Sequence, residues 1–164
     1  MGLLTRLETL MIIDCEKLGE DENDKGNNII PLSLRTLVLM KLPQLAALPR
    51  WLQGSSSTLN YLRIEDCNNL RTLPQWLTRI ESLQKLTIRN CEALSFLQED
   101  VLTYLRQNYT NEYSRLQIKI HGSPQLMRLI QGREEEHSTE YQGDTRAEEE
   151  QGTDHGAEIE PVDA

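Results

Sequence analysis

Between residues 59 and 97 the chain reads LNYLRIEDCNNLRTLPQWLTRIESLQKLTIRNCEALSFL, and one pattern is written there twice. Leu59, Leu62, Ile64, Cys67 and Leu70 recur as Leu83, Leu86, Ile88, Cys91 and Leu94, a constant shift of 24 residues. A period of that size means one small unit per repeat, and a unit so small cannot bury its apolar edge alone. Stacking is therefore obligatory. In each LxxLxI stretch the central apolar residues alternate with polar ones, so a short strand points Leu62 and Ile64, or Leu86 and Ile88, inward. The opposite strand face looks out, and function is expected there.

The pattern extends in both directions. Leu7, Leu10, Ile12, Cys15 and Leu18 form a first copy, and Leu34, Leu37, Leu39, Leu42, Leu45 and Leu48 a second, with Leu42 in the cysteine place. Ile118, Ile120, Leu126 and Leu129 follow at a spacing of 32 when Ser123 is aligned with Cys91, although Arg115 then stands at the first leucine position with Leu116 beside it. The period predicts an α/β fold, a leucine-rich-repeat solenoid of about five repeats with a curved parallel sheet and an irregular or short-helical convex side. It occupies residues 1–132. The segment EDVLTYLRQNYTNEY after the fourth repeat reads as a short amphipathic helix, apolar at Val101, Leu102 and Leu105 and begun by Glu99 and Asp100. Residues 19–28, GEDENDKGNN, and 54–58, GSSST, read as loops. LPRWL at 48–52 and LPQWL at 73–77 are return segments, with Trp51 and Trp76 covering the side opposite the strands. Because the first copy starts almost at Met1, the chain is expected to be the C-terminal piece of a longer solenoid, or to rest its open end on another domain.

Charge divides the chain in two. Residues 133–164 hold twelve Asp or Glu against two Arg, a charge of -10, while residues 1–132 carry +1. The first of these stretches lacks periodicity and apolar content and is expected to be a disordered acidic tail. No run approaches the roughly 18 apolar residues of a membrane span, and no charged-then-apolar leader opens the sequence, so a cytoplasmic location is expected. Position 6 is Arg6, which removes the Ser or Thr that myristoylation after Met1-Gly2 requires. The sequon Asn108-Tyr109-Thr110 would matter only in a secreted chain.

Chemistry has few candidates. Cys15, Cys67 and Cys91 occupy equivalent repeat positions where a side chain turns inward to satisfy backbone groups, and there is no CxxC or HxxxH set, so buried reduced thiols are expected and no metal. His121, His137 and His155 are scattered, Glu134–Glu136 before His137 is a solvated charge run, and neither a nucleophile elbow nor a phosphate-cradling loop is present. No catalytic residue and no cofactor is expected; the nearest approach to an enzyme site is His121 with Glu65 and Arg89. The near-neutral repeats lack the basic stripe of a nucleic-acid binder.

What remains is the outward strand face, read as three ladders: Thr9, Thr36, Tyr61, Lys85, Gln117; Met11, Val38, Arg63, Thr87, Lys119; and Ile13, Met40, Glu65, Arg89, His121. Met11, Ile13, Val38 and Met40 form an apolar group of the kind that marks a contact, and the later rungs turn basic at Arg63, Lys85, Arg89 and Lys119. This gradient is expected to bind a protein partner, an acidic one or an adjacent domain, and not a nucleic acid, a membrane or a small-molecule substrate.

The string LxxLxIxxCxxLxxLPxWL followed by SLxKLxIxxC resembles the C-terminal leucine-rich repeats of plant intracellular immune receptors of the nucleotide-binding, leucine-rich-repeat type. The resemblance covers about residues 3–130, and the NxLxGxIP return of extracellular receptor kinases is absent. It implies a non-catalytic recognition module in plant defence, sensing a pathogen effector or a host protein and restraining a nucleotide-binding domain by intramolecular contact. The chain has no nucleotide-binding module, so ATP-dependent switching is not carried over. The alternative is a leucine-rich-repeat substrate adaptor of a ubiquitin ligase, which needs an F-box-like segment upstream.

Overall fold

A computed structural model describes residues 6–18, 29 and 31–132. The loop expected over 19–28 and the acidic tail expected over 133–164 lie outside the described residues. Five strands, β1 (Thr9–Ile13), β2 (Thr36–Met40), β3 (Tyr61–Glu65), β4 (Lys85–Arg89) and β5 (Gln117–His121), form one all-parallel sheet in the order β1-β2-β3-β4-β5. Equivalent positions pair: Leu10, Leu37, Leu62, Leu86 and Ile118 form one row of register partners, and Ile12, Leu39, Ile64, Ile88 and Ile120 another. A shift of one residue would turn these rows to the wrong face, so burial pins the register.

The corner after each strand repeats as well. Asp14, Lys41, Asp66, Asn90 and Gly122 all have φ between 50° and 60°. Four of them donate their backbone N–H to the carbonyl of the last residue in the next strand, Asp14 to Met40, Lys41 to Glu65, Asp66 to Arg89 and Asn90 to His121, at 2.9–3.0 Å. The left-handed turn therefore adds one more rung to each ladder before the chain dives inward. That conformation is costly for residues other than Gly, Asn and Asp, and only Lys41 falls outside this set. At Gly122 a Cβ would meet Asn90 Oδ1 at 2.1 Å, so glycine there also leaves room for Asn90 Nδ2 to reach Asp66 Oδ1 at 2.8 Å.

The returns are where the sequence expectation fails. A curved solenoid with an irregular or short-helical side to each repeat is not what the chain builds: the sheet is flat and untwisted, and it is flanked by two short α-helices. These are α1 (Glu99–Tyr109), after β4, and α2 (Pro124–Gln131), after β5. The returns after β2 and β3 are 3-10 segments, Arg50–Ser55 and Gln75–Arg79, each entered through the extended backbone of Pro49 or Pro74. Parallel strands lie about 4.8 Å apart, whereas an α-helix with its side chains is about 10 Å wide. Helices in every return would wedge the far side open and bend the sheet. Tight 3-10 turns hold the two sides closer to equal width, and the wedge is confined to the adjoining α1 and α2, where Arg106 donates through Nη2 to the Leu129 carbonyl at 2.7 Å.

One core runs the length of the stack. Leu37, Leu39, Leu62, Ile64, Leu86 and Ile88 are fully buried, and Val101 and Leu105 of α1, which packs on β5 and on the 3-10 segment Gln75–Arg79, extend the same core, with Trp51 and Trp76 half-buried against it. The ends differ: Leu7, Leu10, Ile12, Cys15 and Leu18 are only partly buried, because nothing among the described residues covers their free side. In the last repeat Leu116 is buried while Arg115 is exposed, which is how the chain absorbs the arginine at a leucine place.

Candidate functional site

Side chains at alternate strand positions leave the outward face as a grid with one column per strand. Its β1 column is apolar, Met11 being 56% and Ile13 48% exposed. Val38, register partner of Met11, is only 6% exposed although it points outward, so the apolar group expected there consists of Met11, Ile13 and the half-buried Met40, with Val38 beneath them. Thr9 is exposed and Thr36 half-buried.

Across β3, β4 and β5 the grid has nine positions: Tyr61, Lys85 and Gln117 in one row, Arg63, Thr87 and Lys119 in the next, and Glu65, Arg89 and His121 in the last. Glu65 is 9% exposed and accepts from Arg63 Nε at 2.8 Å and from Arg63 Nη2, while Arg89 Nη1 stands 3.9 Å from its other oxygen. The hydrogen bonds to Glu65 hold the Arg63 guanidinium above its usual pKa range, against burial, which works the other way. Lys85 places its ammonium 5.2 Å from the centre of the Tyr61 ring.

Thr87 occupies the centre. It is 7% exposed, and its hydroxyl has no hydrogen-bond partner among the described residues. Leaving such a group buried and unpaired costs about 1–3 kcal/mol. Its register partners on the same face are Arg63 and Lys119, and its neighbours two residues along its own strand are Lys85 and Arg89. An orphan hydroxyl thus has a cation on each of its four sides. Sequence periodicity places all nine residues on this face but does not show that Glu65 and Thr87 would be buried there, since that depends on how the long neighbouring side chains lie.

The other chemical candidates stay apart. Glu65, Arg89 and His121 do share a row, but Glu65 is turned to Arg63, and no hydrogen bond joins His121 to it among the described residues. Cys67 and Cys91 are buried and Cys15 half-buried, all as free thiols. Cys67 Sγ donates to the Glu65 carbonyl at 3.4 Å and Cys91 Sγ to the Arg89 carbonyl at 3.3 Å, so each thiol satisfies the backbone at its own corner. A shared hydrogen bond with Cys67, together with burial, pushes the Cys91 thiol well above its usual pKa. Ser123 fills the same place after β5, accepting from the Cys91 backbone N–H at 3.0 Å. Among the described residues no three His, Cys, Asp or Glu side chains gather as metal ligands, and no helix is long and apolar enough to cross a membrane.

The chain matches no family model, no curated protein and no solved structure. The resemblance to plant intracellular immune receptors is therefore corrected: no such family is found, and the flat sheet with its two flanking helices differs from the solenoid on which that resemblance rested. With it go the defence-recognition role and the ubiquitin-ligase adaptor role, for neither of which the fold offers support. The alternation in LxxLxI follows from the strand register, while the cysteine place is a buried corner position that also takes Leu42 and Ser123.

Proposed function

We propose that the chain acts by binding and not by catalysis, and that the outward face of its sheet is the surface a protein partner touches. The observation that carries this reading is the grading of one continuous face from exposed Met11 and Ile13 on β1 to the cationic grid of β3, β4 and β5. Exposed methionine and isoleucine side by side lose unfavourable hydration on contact, and the charges beside them fix orientation. The middle of the face, β2, β3 and β4, is held by fully buried core residues, so little order has to be created there on binding.

The test is photocrosslinking of the full chain in an extract of its source cells. A benzophenone side chain at position 13 should give a discrete adduct that Met11→Glu abolishes, while the same group at position 79, on the 3-10 side, gives none. Equal adducts from both positions, or none from position 13, would refute the reading.

A further inference from the structure

We propose that the grid centred on Thr87 is a carboxylate-binding site, made to receive an extended acidic peptide. The proposal rests on the strand face being the contact surface and adds the chemistry of what is recognised. Arg63, Lys85, Arg89 and Lys119 surround Thr87, and with Glu65 as the only carboxylate of the nine positions the site keeps three positive charges. Glu65 is occupied by Arg63, whose guanidinium is bonded to it through two nitrogens, and Arg89 reaches it only at 3.9 Å. Arg89, with 46% of its side chain exposed, is therefore available to an incoming anion.

The second observation is the hydroxyl itself. Thr87 Oγ1 is buried without a partner among the described residues, on the strand face and between the cations. A hydroxyl in that position supplies the neutral donor that a carboxylate accepts alongside a guanidinium. Docking an anion there satisfies a group that the free chain leaves unsatisfied. Its neighbours on the strand face are the long side chains of Arg63, Lys85, Arg89 and Lys119, and those of Lys85, Arg89 and Lys119 are not held to Glu65 by a hydrogen bond among the described residues.

Spacing selects the ligand. Lys85 and Arg89 lie two residues to either side of Thr87, about 6.6 Å along the strand, and strands are about 4.8 Å apart. The first distance is also that between side chains at positions i and i+2 of an extended polypeptide, so alternate Glu or Asp residues meet successive donors. A single-stranded nucleic acid would need aromatic rings on which to stack its bases. The grid's two rings, Tyr61, over which Lys85 already stands, and the His121 imidazole, lie at opposite corners and offer no run of stacking faces. Glu65 at the grid's corner would also oppose a continuous phosphate backbone.

The experiment titrates the full chain into a fluorescein-labelled dodecapeptide of alternating Glu and Ser, read by anisotropy at low and physiological salt. Binding should weaken as salt rises. Thr87→Val should weaken it about tenfold, the loss of one hydrogen bond to a charged group, and Thr87→Ser should restore it to within about twofold of the parent. Arg89→Gln and Lys119→Gln should each weaken it, while Arg79→Gln, on the other side of the molecule, leaves it unchanged. Absence of salt-dependent binding, equal affinity for the Thr87→Val chain, or tighter binding of a labelled oligothymidine than of the peptide would each overturn the proposal. Such a failure leaves the crosslinking from position 13 untouched, so the two readings fall separately.

Discussion

Leu10 and Leu62 hold the same position in their repeats, yet removing them should have very different effects. Leu62 has no exposure and sits between Leu37 and Leu86, both fully buried themselves. Among the described residues Leu10 has only Leu37 as a register partner, and it keeps part of its side chain in water. Truncating a fully buried leucine costs about 2.7–5 kcal/mol, the transfer of the lost methyls plus the cavity left by neighbours that cannot collapse. Flanked on both sides by strands whose register is pinned, Leu62 belongs near the middle of that range, about 3–4 kcal/mol. For Leu10 the cavity contribution vanishes because the gap opens to water, leaving about 1 kcal/mol from the partial transfer. Urea unfolding followed through Trp51 and Trp76, both packed against the core, would report the difference. With a urea dependence of roughly 2 kcal/mol per molar, Leu62→Ala should lower the midpoint by about 1.5–2 M and Leu10→Ala by about 0.5 M. Equal shifts would show that the β1 end is as well covered as the centre and would refute the open-edge description.

Lys41→Gly should stabilise the chain by about 1 kcal/mol, since it removes the penalty of a bulky residue at φ 52° without losing the backbone bond to Glu65; a thermal melt would show the rise. Gly122→Ala should destabilise by about 1–2 kcal/mol, because the new Cβ would meet Asn90 Oδ1 as well as an unfavourable φ, and hydrogen exchange at the β4–β5 corner should quicken first. Thr87→Val should raise the urea midpoint, as an unpaired buried hydroxyl worth about 1 kcal/mol or more is replaced by a methyl of the same shape; a lower midpoint would mean that the hydroxyl has a partner. Native-state thiol titration should modify Cys15 first and Cys67 and Cys91 only on unfolding, in line with their burial and with the raised Cys91 thiol.

The strand positions were legible because they depend on one local rule, apolar residues at alternate places, repeated with a fixed shift, and the pairing of Leu62 with Leu86 and Ile118 follows it. The helix over Glu99–Tyr109 was legible for the same reason, its three apolar residues lying on one face. The helix over Pro124–Gln131 was not, although Pro124 at its first turn and left-handed Gly132 at its end are ordinary boundary signals. Leu126 and Leu129 also fit the repeat positions, and that period masks the helical one. Curvature is hidden for a related reason. The strand motif says nothing about the width of the far side, and the 3-10 turns in LPRWL and LPQWL are narrower than the helices a bent stack needs.

Burial on the outward face raises a different question, since Val38, Glu65 and Thr87 alternate correctly with the core residues and are nevertheless covered. All three lie on interior strands, where a side chain has neighbours on both sides about 4.8 Å away and two more on its own strand. Short side chains at such places sink below long ones. Val38 lies beside Met11 and Arg63, and Thr87 beside Arg63 and Lys119. For valine that burial is favourable, whereas for threonine it strands a donor. A chain that required only a filled surface would gain stability from a valine at position 87, and the cation grid would be undisturbed. If Thr87→Val gains stability and loses affinity for the acidic peptide in the same preparation, the hydroxyl is retained for recognition; if it gains stability and binds equally well, the threonine is incidental and the grid is no more than a charged surface.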